Sequence, residues 1–302
     1  LDLKNSGAPE SATDLGVADI EAQTITTASG KKPSARKLGD ATRRLRAGQS
    51  AEHLSHRASL NWRHDNLRVC DKTPAAQDIT PIGQLLETLL VSRTAQALYD
   101  TLKAQGVSVV YDRQVPLSQY YGRAEGANPR HVITLNPLHP TGDLLNLLAR
   151  ELRRAWQNAQ GALVNPLTYE PDEAILVNRA QQADVLMMAI KMAWELKLAG
   201  INEAWDYLTE SSMADVSRLF EDKARQDFRT LNNGEAARAA YDRFFEGNRT
   251  KIHDKRIIHQ MLLDETGYIK SRTSRAQVGM ELFQRLGEVP QGRNYLAMQA
   301  AG

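Results

Sequence analysis

The sequence is poor in several features, and each shortage excludes a class of protein. Cys70 is its single cysteine, so no disulfide can form within the chain, which fits a reducing compartment. No apolar run approaches the roughly 18 residues that a membrane-spanning helix needs. With a formal net charge of only +2, the chain as a whole has no electrostatic preference for nucleic acid.

These shortages predict a cytoplasmic protein without a membrane span. A secreted or particle-associated protein without disulfides fits the same facts and stays an alternative. Because the first residue is Leu1 and not methionine, the presence of a targeting segment ahead of it also stays open.

The first 59 residues read as a flexible polar arm whose charge changes sign along its length. Residues 1–30 carry five carboxylates against one lysine and show no apolar period, so they can bury little surface. Residues 31–60 are basic and contain no aromatic residue, which argues against a base-stacking platform. This basic arm is either a solvated linker or a contact for nucleic acid, an acidic protein or an anionic surface. Its basic residues are Lys31, Lys32, Arg36, Lys37, Arg43, Arg44, Arg46 and Arg57.

The rest of the chain has the composition of an ordinary globular protein, with 42% hydrophobic and 25% charged residues. An apolar stripe predicts one helix from about 82 to 104, followed by a β-branched strand at 107–111. Residues 112–129 are rich in turn formers, with Gly122, Gly126, Asn128 and Pro129. A second strand is predicted at 131–135.

Helical patterns dominate after Asp143, and the longest of them covers residues 172–198. The sequence therefore predicts an α+β fold that is predominantly helical. We expect three parts, namely the arm over 1–59, an α+β domain over 60–200 and a helical region over 201–302. Shorter helices are predicted around 201–210, 212–229, 234–246, 252–265 and 275–286.

One stretch after Asp143 has the pattern of a catalytic helix, since residues 148–157 read L-A-R-E-L-R-R-A-W-Q. In a zinc peptidase such a helix carries H-E-x-x-H, whose two imidazoles bind Zn²⁺ while the Glu acts as general base. Here Glu151 occupies the Glu position, but Arg150 and Arg154 occupy both His positions. A guanidinium stays protonated and has no free lone pair, so it cannot bind Zn²⁺. The alternative is an ordinary amphipathic helix with a Glu151–Arg154 surface pair.

Residues of about 85–200 resemble a bacterial family of zincin-like metallopeptidase domains. The resemblance rests on three stretches: the strand and loop H-V-I-T-L-N-P at 131–137, the helix at 148–157, and N-R-A-Q-Q-A-D at 178–184. For the second the family pattern would be L-A-H-E-L-R-H-A-W-Q, and for the third R-x-x-E-A-D. The resemblance implies a zincin-like core in which a small sheet packs on an active-site-type helix.

The resemblance also implies that the metal site has been lost and that no cofactor is bound. Gln182 stands where the third, acidic ligand would be, so all three ligand positions, Arg150, Arg154 and Gln182, are substituted. Glu151 remains at the general-base position but has no metal-bound water to activate. The histidines form no HxxxH or HxH pair, and His139, which can approach from the preceding loop, does not make a zinc site alone. They are His53, His56, His64, His131, His139, His253 and His259.

Two guanidiniums in a former zinc pocket would need negative partners, because an unpaired buried charge is strongly destabilising. Glu151 is one candidate through its contact with Arg154 one turn away, and Asp184 is a second. Two outcomes stay open. One is a closed ion-pair network that joins two helices, and the other is an open site that binds a carboxylate or phosphate.

Three functions fit these observations. The first is a non-catalytic metallopeptidase-like protein that binds another protein or acts as a scaffold, through the helical region after residue 200 and the arm. The second is an active metal-dependent hydrolase in which Glu151, Asp184, Glu173 and His139 bind a hard cation. The third is a nucleic-acid-associated protein that uses the basic arm. Aromatic candidates for a protein contact, with core packing as the alternative, are Phe244, Phe245, Tyr268, Phe283 and Tyr295.

Overall fold

A small sheet and a set of packed helices make up the described part of the chain. The computed structural model describes residues 79–246, 249–263, 278–290 and 292–297, so the basic arm and Tyr268 lie outside the described residues. The fold is α+β and mainly helical, which confirms the predicted class. The helices are α1 (Ile82–Leu90), α2 (Arg93–Lys103), α3 (Thr141–Ala159), α4 (Pro171–Leu198), α5 (Glu203–Glu210), α6 (Ala214–Gln226), α7 (Arg229–Asn233), α8 (Glu235–Phe244), α9 (Arg249–Leu263) and α10 (Met280–Leu286).

The sheet has three strands in the order β1 (Val107–Tyr111), β3 (His131–Leu135), β2 (Ser118–Gly122). β1 runs parallel to β3, and β2 runs antiparallel to it. The predicted strands at 107–111 and 131–135 are confirmed, and the turn-rich stretch 112–129 contains a third strand that was not predicted. The strand β2 reads S-Q-Y-Y-G, in which two tyrosines favour a strand but no residue is β-branched. Its antiparallel pairing with β3 defines it as a strand.

The helix α3 is buried along almost its whole length. It contacts β2 and β3 on one side and α1, α2, α4 and α5 around the rest of its surface, so every residue from Gly142 to Gln157 is buried. Gly142 allows α3 to approach α5 closely, because a Cβ at that position would lie 2.3 Å from the carbonyl oxygen of Glu203. Polar residues of α3 therefore cannot reach water and must find partners inside the protein.

The long helix α4 packs antiparallel to α3 and confirms the helix predicted over 172–198. The main hydrophobic core extends from Leu85 to Tyr295 and includes residues on both sides of position 200. The division of the chain at residue 200 stays a prediction. No helix in the described ranges is long and apolar enough to cross a membrane.

The helix predicted over 82–104 is two helices, because the chain breaks between Leu90 and Arg93. Ser92 caps α2 by accepting a hydrogen bond from the amide of Ala95, and its hydroxyl donates to Glu195 Oε2 at 2.6 Å. Burial raises the pKa of the Glu195 carboxyl, but Lys191 and the hydroxyl donors reverse this and leave it below its usual value. The Glu195 carboxylate, on α4, thus stabilises the break between α1 and α2. The apolar periodicity of residues 82–104 carries no information on this distant contact and could not predict the break. The helix predicted over 212–229 is likewise divided, into α6 and α7.

A buried histidine in the sheet makes the stability of the fold dependent on pH. His131 accepts or donates a 2.8 Å hydrogen bond between its Nδ1 and the Tyr120 hydroxyl, and burial, with a smaller contribution from Arg130, lowers its pKa to about 4. Between pH 6.5 and 4 the unfolded chain therefore takes up a proton that the folded protein does not. This contribution to stability is present above pH 6.5 and is lost as the pH falls towards 4.

We predict that His131→Gln removes this pH dependence. Relative to the variant, the wild type should lose up to about 3 kcal/mol of unfolding free energy between pH 6.5 and 4, as measured by urea denaturation. His259→Gln, at an exposed position of α9, is the matched control and should follow the wild type. A difference between wild type and His131→Gln that stays constant with pH would contradict the prediction.

Candidate functional site

Three residues of the expected metal site, Glu151, Arg154 and Gln182, come together between α3, α4 and β2. Arg154 donates from Nη2 to Gln182 Oε1 at 2.8 Å, and its Nε lies 3.5 Å from Glu151 Oε2. The other oxygen of Glu151 accepts a 2.7 Å hydrogen bond from the Ser118 hydroxyl on β2. Glu151 and Arg154 are fully buried and Gln182 is 4% exposed. The predicted contact between Glu151 and Arg154 is thus present, but it lies in the interior and not on the surface.

Arg150 lines a small pocket of about 20 Å³ beside this cluster. Gln182 and His253 also line the pocket, and both are nearly fully buried. His253 belongs to α9 and its ring lies 5.6 Å from that of Phe244. Sequence reasoning missed His253, because it is isolated in the sequence and only the packing of α9 against α4 brings it here. The remaining lining residues are apolar: Val185, Leu186, Met213 and Phe244.

A second buried cluster surrounds Asp184, on the neighbouring face of α3. Arg153 forms a two-point ion pair with Asp184, at 2.7 Å from Nε to Oδ2 and 2.9 Å from Nη2 to Oδ1. Gln157 Nε2 donates to Oδ2 and the Tyr295 hydroxyl donates to Oδ1, each at 2.6 Å. Burial and the negative charge of Asp184 hold the pKa of Tyr295 well above its usual value, so it is a permanent donor. Four donors therefore satisfy a carboxylate that has no access to water.

The Asp184 cluster also fastens the C-terminal segment to the helices. Nη2 of Arg153 donates to the carbonyl oxygens of Leu286 and Glu288, at 2.7 and 2.9 Å. The same guanidinium lies 4.1 Å from the centre of the Trp156 ring. The sequence did offer a signal for this cluster, since Arg153, Gln157 and Asp184 match the pattern of the resembled family. We expected Asp184 beside Arg150 and Arg154, whereas the structure pairs it with Arg153.

His139 and Glu173, the other residues considered for a cation site, lie in separate contacts. His139 Nδ1 is 2.9 Å from Asp143 Oδ2, and its Nε2 is 3.0 Å from the carbonyl oxygen of Pro116. Burial lowers the pKa of His139, but the hydrogen bond and charge of Asp143 outweigh this and raise it. Glu173 accepts a 3.2 Å hydrogen bond from the amide of Val278. Among the residues that the structure describes, no three His, Cys, Asp or Glu side chains are grouped so as to hold a metal ion.

The residues at the expected ligand positions do not fit Zn²⁺. A zinc site needs three or four ligands with a free lone pair, and neither Arg150 nor Arg154 has one. The amide oxygen of Gln182 accepts from Arg154 and faces a positive charge.

The aromatic residues considered for a protein contact are mostly part of the interior. Phe244 is 2% exposed and Tyr295 is fully buried, so both belong to the core. Phe245 and Phe283 are half-buried and pack against the core clusters. The exposed apolar side chains lie elsewhere, and three of them, Ile252, Ile258 and Leu262, lie on α9.

Comparison with known proteins places the chain in one family. The model of the putative metallopeptidase family (DUF6782) matches residues 63–297, which is most of the chain. No curated protein and no solved structure matches it. The match extends well beyond residues 85–200, where the sequence patterns indicated the resemblance, and includes the helices after α4.

We predict that Asp184→Asn destabilises the protein by about 3–5 kcal/mol, because it leaves the guanidinium of Arg153 buried without its counter-charge. Urea or thermal unfolding measures the loss. Asp242→Asn is the matched control, since Asp242 pairs with Arg238 on an exposed helix face, where such pairs contribute about 0.3–0.5 kcal/mol. Equal losses for the two variants would contradict the importance given to the Asp184 cluster.

Proposed function

Since the chain belongs to the putative metallopeptidase family, we propose that it keeps the framework of a peptidase without its metal chemistry. We propose further that it acts by binding another protein or as a scaffold. The observation that carries this proposal is the burial of Arg150 and Arg154 at the two positions where the resembled pattern has imidazole ligands. Both guanidiniums are at most 2% exposed, so they occupy the interior that a metal ion would need.

The contacts of Glu151 support loss of catalysis. A general base of a metallopeptidase must reach a metal-bound water. Glu151 instead accepts from Ser118 through one oxygen and faces Arg154 through the other. Both contacts hold the carboxylate in one position, which is the behaviour of a structural group.

Gln182 supports the same conclusion from the third ligand position. A glutamate there would carry a negative charge to a metal ion, whereas the neutral amide accepts a hydrogen bond from Arg154. Arg154 and Gln182 are therefore complementary to each other. On this proposal the changes at all three positions remove metal ligands, and at two of them, Arg154 and Gln182, a polar contact takes the place of the metal.

A surface for a protein partner is available on α9. The outer face of this helix, defined here by Ile252, Ile258, Leu262, Lys251 and Lys255, combines apolar and basic side chains. The three apolar residues are 41%, 41% and 63% exposed. Neighbouring exposed apolar groups on one helix are typical of a protein contact site.

Metal analysis of the purified chain tests the proposal. We expect the native chain to contain no stoichiometric zinc, and Arg150→His/Arg154→His/Gln182→Glu to capture it, because this triple change supplies two imidazoles and a carboxylate. Elemental analysis after dialysis against zinc measures both. Arg150→Gln/Arg154→Gln is the matched control, since it removes the same charges without adding ligands, and should stay free of zinc.

Stoichiometric metal in the native chain would overturn the proposal and would favour an active metal-dependent hydrolase with a different ligand set. Metal in neither the native chain nor the triple variant would contradict the assignment of these three positions as former ligands. Unfolding curves of the variants, recorded alongside, separate a failure to fold from a failure to bind.

A further inference from the structure

We propose that the outer face of α9 binds an acidic segment of this same chain, residues 14–21, which a protein partner must displace. The inference rests on the proposed function in one respect, since that function makes this face a contact surface for a partner. It goes further by naming what covers the face when no partner is bound.

The outer face of α9 is one continuous stripe of exposed side chains. Lys251, Ile252, Lys255, Ile258 and Leu262 recur at intervals of three or four residues, so they lie on the same side of the helix. The opposite side of α9 packs against α4. The three apolar side chains of the stripe lie in water, and covering them is favourable.

The charge on the outer face is positive and is not balanced locally. Neither Lys251 nor Lys255 has an ion-pair partner among the residues that the structure describes. The single acidic residue of α9, Asp254, pairs with Arg179 of α4 instead. A segment that carries both apolar and negatively charged side chains therefore complements this face.

Residues 14–21 have this complementary composition. They read D-L-G-V-A-D-I-E, so three carboxylates are interleaved with three apolar side chains and no basic residue is present. The segment precedes the described part of the chain, and its composition is what assigns it to α9. The carboxylates are Asp14, Asp19 and Glu21, and the apolar residues are Leu15, Val17 and Ile20.

The chain between the segment and the folded part is long enough for this contact. Residues 22–78 separate the segment from the first described residue, and a chain of that length spans up to about 190 Å when extended. A folded part of this size is about 45 Å across, so every point of its surface is within reach. Connection in one chain also raises the concentration of the segment at the face above that of a separate protein.

A second copy of the outer face is a poorer occupant. In a symmetric contact between two such faces, Lys251 and Lys255 of each copy would bring like charges together. Like charges across an interface are unfavourable, whereas the carboxylates of residues 14–21 are attracted to the same lysines.

Carbodiimide cross-linking of the purified full chain tests the inference. The reagent joins a carboxylate to a lysine amine when the two are in direct contact, and digestion followed by mass spectrometry identifies the pairs. The wild-type chain should give pairs between Lys251 or Lys255 and a carboxylate of residues 14–21. A mixture of ¹⁴N-labelled and ¹⁵N-labelled chains should give no mixed pairs, because the contact lies within one molecule.

A variant that keeps both lysines tests the apolar part of the contact. Ile258→Ser/Leu262→Ser should lower the yield of these pairs by about tenfold, because two apolar side chains lose their burial against the segment. Phe228→Ser/Met280→Ser is the matched control, since it changes two side chains that are 61% and 72% exposed on other helices. Its yield should equal that of the wild type.

Other cross-linking results overturn the inference, and the wild-type result decides even if the variant fails to fold. Pairs between residues 14–21 and the basic arm alone, at Lys31, Lys32 or Lys37, would direct the segment away from α9. Mixed-isotope pairs would assign the face to a second copy. Equal yields in wild type and Ile258→Ser/Leu262→Ser would remove the role of the apolar stripe. None of these results changes the metal content that tests the proposed function, so the two proposals can fail separately.

Discussion

The burial of charged side chains on α3 is the constraint on which the rest of the structure depends. This helix is enclosed by the sheet and by four other helices, so its polar residues from Asp143 to Gln157 are buried. Moving an ion from water to such an interior is unfavourable by several kcal/mol unless partners compensate it. The partners come from distant parts of the chain: Ser118 on β2, Gln182 and Asp184 on α4, and Tyr295 near the C-terminus. The hydrogen bonds and ion pairs that the buried polar residues of α3 require therefore join distant parts of the chain.

Of the two clusters on α3, one contains residues that match the expected family pattern and the other contains residues that depart from it. Arg153, Gln157 and Asp184 match that pattern, and they form a saturated ion-pair cluster that joins α3, α4 and the C-terminal segment. The residues that depart from it, Arg150 and Arg154, lie in the adjacent site. Because the positions that hold the framework together are separate from those that would bind a metal, the second set can change without loss of the first. On the proposal that Arg150 and Arg154 stand at former ligand positions, this separation would explain how the chain keeps the framework of the putative metallopeptidase family.

The sequence predicted those parts of the molecule that local patterns determine. The alternating β-branched residues predicted the strands at Val107–Tyr111 and His131–Leu135. Apolar residues at helical spacing over 172–198 predicted the helix Pro171–Leu198. The break at Ser92 was not predictable from periodicity, since it depends on Glu195, which lies about a hundred residues further along the chain. The same limit applies to the site. The motif pointed to Arg150, Glu151, Arg154 and Gln182. His253 lies near them only because α9 packs against α4. Asp184 pairs with Arg153 and not with Arg150 or Arg154, the partners that we expected.

The attachment of the C-terminal segment to Arg153 and Asp184 has a consequence for the order of events during protein synthesis. The carbonyl oxygens of Leu286 and Glu288 and the hydroxyl of Tyr295 complete the hydrogen bonding of a pair of charges that the ribosome made more than a hundred residues earlier. Until residues 286–295 emerge from the exit tunnel, the helices that carry the pair lack these three partners. We therefore expect the nascent chain to complete the packing around α3 only after these residues have been synthesised.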